Sequence, residues 1–207
     1  MPVPDHLLSF LLISVALTMA PGPDVIFLVS QGLAGGPRAG LAVAMGLSSG
    51  LLVHTTLAAL GVSAVFRTSP LAFNGLKYAG AAYLLWLAWG AFRERPAAAG
   101  RAAVAGAGPA LYRRGVVMNL LNPKVALFFL ALLPQFVNPA RGGVRAQMLT
   151  LGLVFLSQVV VVFGTIGYLS GRLGDRLIPG AKNARRISVM KGLIFLGLAA
   201  ALSLPGK

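Results

Sequence analysis

The chain has 207 residues, 57% of them hydrophobic and only 11% charged. Its mean hydropathy is +0.82, whereas soluble domains carry about 25% charged residues. A water-soluble fold of this length could not hide so much apolar surface, so lipid must be the solvent. The formal charge of +14 would suggest nucleic acid or an anionic surface. The basic residues, however, lie mostly between apolar stretches, where they orient a membrane protein and meet anionic headgroups; this argues against nucleic acid as a partner. With no cysteine, disulfides, thiolate metal sites and thiol redox relays are excluded.

A bilayer core needs about 20 apolar residues per helix, and six stretches qualify: residues 7–31, 41–66, 76–92, 116–137, 148–169 and 187–204. The first is read as a permanent span rather than a signal peptide. No Lys or Arg precedes it, and Pro21 directly follows the small residues that could mark cleavage. It contains Ala20-Pro21-Gly22-Pro23-Asp24. Two prolines remove two amide donors and clash with the preceding turn, and Gly22 offers no resistance to unwinding. The plain alternative is a proline kink. Asp24 points further, because a carboxylate inside a span costs about 2.5–3.5 kcal/mol and faces a pathway or a partner.

The second stretch carries Gly46, Gly50, His54, Ala58 and Gly61 along one stripe. Small residues four apart let helix backbones approach, so Gly46, Gly50 and Gly61 are read as helix-packing positions. His54 is either a proton relay or a hydrogen-bonded packing residue. Gly46-Leu47-Ser48-Ser49-Gly50 matches the pattern of a nucleophile elbow, but lies within a helix with no strand before it. In the third stretch Tyr78, Tyr83, Trp86 and Trp89 are read as lipid-facing or interfacial anchors.

An Ala/Gly-rich segment over residues 94–112 reads as a cytoplasmic linker. It divides one membrane domain, 1–207, into three-helix repeats at 1–93 and 113–207. The fourth stretch repeats the device of the first with Asn119, Asn122, Pro123 and Lys124. Pro after a capping Asn marks a helix restarting, whose free amides would point at an anion. Lys124, Phe128, Ala131 and Gln135 share one face by helical spacing. In the fifth stretch Ser157, Gln158 and Thr165 could line a path or join helices.

Three spans per half place the second half inverted relative to the first, an arrangement common in secondary transporters. The halves echo each other in Pro23-Asp24-Val25 and Pro123-Lys124-Val125. The expected fold is an all-α integral membrane protein: six transmembrane helices as two inverted three-helix repeats, the first and fourth broken at their prolines. Arg38, then Arg93, Arg95, Arg101, Arg113 and Arg114, then Arg172, Arg176, Lys182, Arg185 and Arg186 fall on one side. Arg67, Arg141, Arg145 and Lys207 fall on the other. The basic loops are therefore expected in the cytoplasm and both termini outside.

Asp24 and Lys124 fall near the bilayer midplane. They either pair to lock the halves together or bracket a zwitterion, Lys124 taking a carboxylate and Asp24 an ammonium or a proton. Pro21, Gly22, Pro23, Asp24, Asn119, Asn122, Pro123 and Lys124 are the candidate substrate-binding residues, and Asp24 and His54 the candidates for proton coupling. No cofactor or metal is expected; one embedded acid without thiols makes a poor metal cage. The glycine stripes would also suit a homodimer.

The run from Ala20 to Asp24, followed by Gln31-Gly32 and Gly36-Pro37-Arg38-Ala39-Gly40, resembles the LysE/RhtB family of amino-acid exporters. So does Met118-Asn119-Leu120-Leu121-Asn122-Pro123-Lys124, with Phe128-Phe129 and Pro134-Gln135-Phe136 after it. The likeness covers essentially the whole chain. It implies proton-coupled export of amino acids from the bacterial cytoplasm through the inner membrane, nearer the homoserine, threonine and neutral amino-acid branch. The rivals are an exporter of another small solute or cation, a membrane-embedded hydrolase using Ser48 and His54, and a structural protein.

Overall fold

A computed structural model describes residues 7–62, 70–93, 108–173 and 181–203. All regular structure among them is helical. In chain order the helices are α1 (Leu7–Met19), α2 (Pro23–Leu57), α3 (Pro70–Arg93), α4 (Gly108–Leu120), α5 (Pro123–Leu127), α6 (Val144–Leu173) and α7 (Ala181–Ser203). A π-helical turn, Ala58–Val62, prolongs α2. Another, Phe128–Leu132, prolongs α5 and tightens into a 3-10 turn over Leu133–Phe136.

The prolines set the breaks. α1 ends at Met19 because the residues that would donate to the carbonyls of Leu17 and Met19 are Pro21 and Pro23, neither of which has an amide hydrogen. α2 then restarts with Pro23 in its first turn, where the missing amide costs nothing. The second break, between α4 and α5, is built the same way around Pro123, and the two pieces meet at 49°.

The expected gap between the first two stretches, residues 32–40, is not a loop. Helix continues through it and turns at Gly36, whose φ of 76° only glycine adopts without strain. Straight, the 39 residues of Pro23–Gly61 would run about 58 Å, near twice a hydrocarbon core. The contacts show that the chain doubles back instead. On the first arm Leu28 lies against Gly167 and Gly32 against Ser170, so this arm runs along α6. On the second, Gly40 lies against Gly167 and Thr55 against Gly152, so that arm runs opposite to α6. The reversal sits where Pro37 meets Gly171.

By length and apolar composition, two helices among the described residues can each cross a membrane, and three if the bent α4–α5 pair counts as one span. Six independent crossings therefore do not follow from helix lengths: the proline break leaves α1 with 13 residues. Residues 94–107 of the expected linker lie outside the described residues, while 108–112 are already the start of α4.

The helices pack in crossed pairs, α2 on α4 and α6, and α3 on α7. Phe10, Leu47, Leu51, Phe129, Leu133, Met148 and Leu151 are buried at the centre. Leu8, Leu121, Val161, Trp86 and Trp89 point outward and are exposed, the surface expected of a fold whose solvent is lipid.

Candidate functional site

The two helix breaks meet, and each is completed by a charged or polar residue of the other. Leu17 loses its intrahelical donor to Pro21, and the chain leaves the helix before Ala20 can find one. The Lys124 ammonium donates to both carbonyls, at 3.1 Å each. It lies at the C-terminal end of α1, where the aligned backbone dipoles favour a cation. In the other direction, Asp24 in the first turn of α2 accepts from Asn119 Nδ2 at 3.2 Å. Asn119 belongs to the last turn of α4, before the second break. Its own carbonyl would bond to residue 123, a proline. The Asn122 amide takes it at 3.0 Å, and His54 Nε2 also donates to it at 3.2 Å. A carbonyl only accepts, so Nε2 carries the proton.

All five side chains are buried, Asp24 and Asn119 at 1% exposure and Lys124 at 7%. Burying charge at this depth is tolerable only with partners. Lys124 has the carbonyls, and its charge lies within electrostatic reach of the Asp24 carboxylate. The accounting is nevertheless incomplete. Asp24 Oδ1, Asn119 Oδ1 and Asn122 Nδ2 are buried without a hydrogen-bond partner. Asn122 also acts on Asp24 from nearby, without closing a well-formed bond to it. Two acceptors and one donor therefore stand open around one carboxylate.

Beside them lies a cavity of about 760 Å³, lined by Pro23, Phe27, Met118, Asn122, Pro123 and, towards the start of α4, Arg113 and Arg114. Beyond Lys124 along the chain, aromatic rings pack against one another. Phe128 stacks on Phe155 at 4.4 Å between centroids. Phe10 meets Phe136 edge-on at 5.2 Å, and Phe129 stacks on His54 at 5.7 Å.

The structure thus brings Asp24, Asn119, Asn122, Lys124 and His54 together, with Pro21 and Pro123 creating the vacancies they fill. Pro23 borders the cavity. Gly22 lies beside Lys124, its would-be Cβ 3.4 Å from Nζ. The expectation that α5 offers free amides to an anion is corrected: Pro123 has none, Lys124 N–H goes to Asn122 Oδ1, and those of Val125 and Ala126 go to the Asn122 carbonyl. The face expected of Lys124, Phe128, Ala131 and Gln135 is disturbed as well, because the chain is π-wound from Phe128.

A side chain at Gly46 would strike the Tyr112 carbonyl, and one at Gly50 would come within 2.6 Å of Asn119 Oδ1, whereas one at Gly61 meets no atom of the described residues within 4 Å. Ser48 Oγ is buried without a partner, and Nε2 of His54 is committed to Asn119, so the two form no nucleophile–base pair. Gln158 joins helices, donating to Thr18 at 2.8 Å; Ser157 and Thr165 face outward. Among the described residues no cluster of His, Asp and Glu could hold a metal ion. The aromatic closure and the two arginines at the cavity escaped sequence reasoning; paired Phe128-Phe129 and Arg113-Arg114 were visible, but nothing in their spacing told what they face.

An apolar-surfaced helical bundle with two broken helices crossing at a buried acid and base defines a membrane transport protein in class. The chain belongs to the LysE type translocator family, whose sequence pattern matches residues 15–206. It is 36% identical over 192 residues to a protein of Vibrio cholerae named an uncharacterized membrane protein, covering 92% of each chain. It is 34% identical over 198 residues to the homoserine/homoserine lactone efflux protein of Salmonella typhimurium, covering 94% of each. To the leucine efflux protein of Klebsiella pneumoniae it is 32% identical over 203 residues, covering 95% of this chain and 93% of the relative. No solved structure is significantly similar. The family's description and the names of the two efflux proteins are those of transporters rather than enzymes.

Proposed function

We propose that the chain is a secondary exporter of neutral amino acids in the bacterial inner membrane, working by alternating access and driven by the proton gradient. The observation that carries this reading is the incomplete polar crossing: Asp24 Oδ1, Asn119 Oδ1 and Asn122 Nδ2 lie buried and unpartnered beside a cavity large enough for an amino acid. The acceptors suit an ammonium, and the Asn122 amide suits a carboxylate. Lys124 keeps the α1 carbonyls and supplies positive charge beside the pair. Asp24 is also the group to carry the coupling proton, since His54 already donates through Nε2 to the backbone.

Alternating access needs one side open while the other is shut. The cavity on one side and the phenylalanine cluster on the other fit an inward-open state. Six crossings arise when α1 and the first arm of α2 share one broken span, the second arm forms the next, and α4 and α5 share another. Crossed pairing of α2 with α6 and α3 with α7 suits two inverted halves. The basic end, with Arg38, Arg93, Arg113, Arg114 and Arg172, belongs in the cytoplasm. The efflux proteins among the relatives, named for homoserine, homoserine lactone and leucine, give the substrate range to test.

The test expresses the chain and Asp24→Asn at matched membrane levels in peptide-loaded cells and quantifies each free amino acid outside. Selective release of a few amino acids, lost in the variant, is the expected result. Release from both indistinguishable from cells without the protein would overturn amino-acid export.

A further inference from the structure

We infer that Arg113 and Arg114 are specificity-determining residues at the cytoplasmic entrance, admitting amino acids carboxylate-outward and turning away those with a net positive charge. The inference rests on the export reading and adds the residues that set the charge of the substrate admitted. Both arginines are exposed, and both line the cavity. Consecutive helical residues point about 100° apart, so two of them on one cavity flank its mouth rather than crowd one spot. Further in, the wall turns apolar at Val117, Met118 and Phe27 and ends at Asn122. Charged clefts with low-dielectric walls concentrate their field and raise the local concentration of the opposite charge.

The charges along the path have an order. Two guanidinium groups stand at the mouth, an unpartnered amide donor at Asn122 comes next, and the Asp24 carboxylate, held by Asn119, lies beyond. Among the described residues no carboxylate lines the cavity. A zwitterion entering with its ammonium towards Asp24 leaves its carboxylate at Asn122, facing the arginines. A dibasic amino acid would lodge its second cation among the guanidinium groups, where like charge opposes it. The arginines also sit where any membrane protein would place orienting charges, so the test must separate charge filtering from topology.

Inside-out vesicles expose this entrance to the medium. Uptake of labelled leucine, homoserine and lysine would be compared for wild type, the double variant Arg113→Gln/Arg114→Gln, and the charge-preserving Arg113→Lys/Arg114→Lys. Wild type is expected to take up the neutral amino acids and not lysine, with a KM that rises with salt. The glutamine pair should raise that KM about tenfold at unchanged maximal rate, flatten its salt dependence and let lysine compete, while the lysine pair behaves as wild type. An unchanged KM in the glutamine pair, or lysine uptake by wild type equal to that of leucine, would overturn the inference while leaving export intact. A fall in maximal rate accompanied by inverted insertion, read from the side on which a cysteine tag reacts, would reduce the arginines to topology signals and overturn it too. If folded wild type takes up none of the three, the export reading itself fails.

Discussion

Leu17 would ordinarily give its carbonyl to the amide four residues on, but that residue is Pro21, and Asn119 stands in the same relation to Pro123. The first vacancy is filled from elsewhere in the fold by Lys124, and the second by His54 from afar together with the neighbouring Asn122 backbone amide. Lys124→Met should therefore strip two buried acceptors of their donor and cost about 1–3 kcal/mol for each, lowering the thermal midpoint in detergent, while Lys124→Arg recovers most of it. His54→Gln, which can still donate to the Asn119 carbonyl, should keep export, and His54→Phe should lose it at similar abundance. The proline-freed carbonyls could be read from spacing. Lys124 as the group that takes them could not, since 104 and 107 residues separate the partners.

Among the helices, α2 shows how one glycine changes topology. Gly36 at φ 76° turns the chain within an otherwise helical run, and Gly36→Ala should cost about 1 kcal/mol or more, because alanine resists that conformation. Unfolding in denaturant would read the loss. The first two stretches were legible as apolar; the tightness of their junction was not, because Gly-Pro signals a break without saying how sharp. Gly50 matters differently. A methyl there would press on the Asn119 side chain, which holds Asp24. Gly50→Ala is expected to impair export far more than it lowers membrane abundance, measured together in the peptide-loading assay.

Over the molecule as a whole, the proposed inward-open state makes access to the site one-sided. The chain contains no cysteine, so a single introduced thiol reports cleanly. Met118→Cys, in the cavity, should react with a membrane-impermeant maleimide in inside-out vesicles and be protected in intact cells. Phe155→Cys, within the ring cluster, should resist in both until substrate is supplied. Equal labelling of Met118→Cys from both faces would contradict a closed far side. The closure is built on Phe128–Leu132, a π-wound turn, and such turns recur where helices carry function.

Composition settled the solvent, because 11% charged residues cannot cover a chain this apolar in water. The prolines settled where helices break, since a residue without an amide leaves a fixed carbonyl unpaired. Asp24 and Lys124 were identifiable because charge within an apolar run demands a reason. What fills each vacancy belongs to the assembled fold. Lys124 attends α1, Asn119 attends Asp24, and three unpartnered atoms gather beside one cavity, because hydrogen bonds across a hundred residues depend on how helices cross rather than on local spacing.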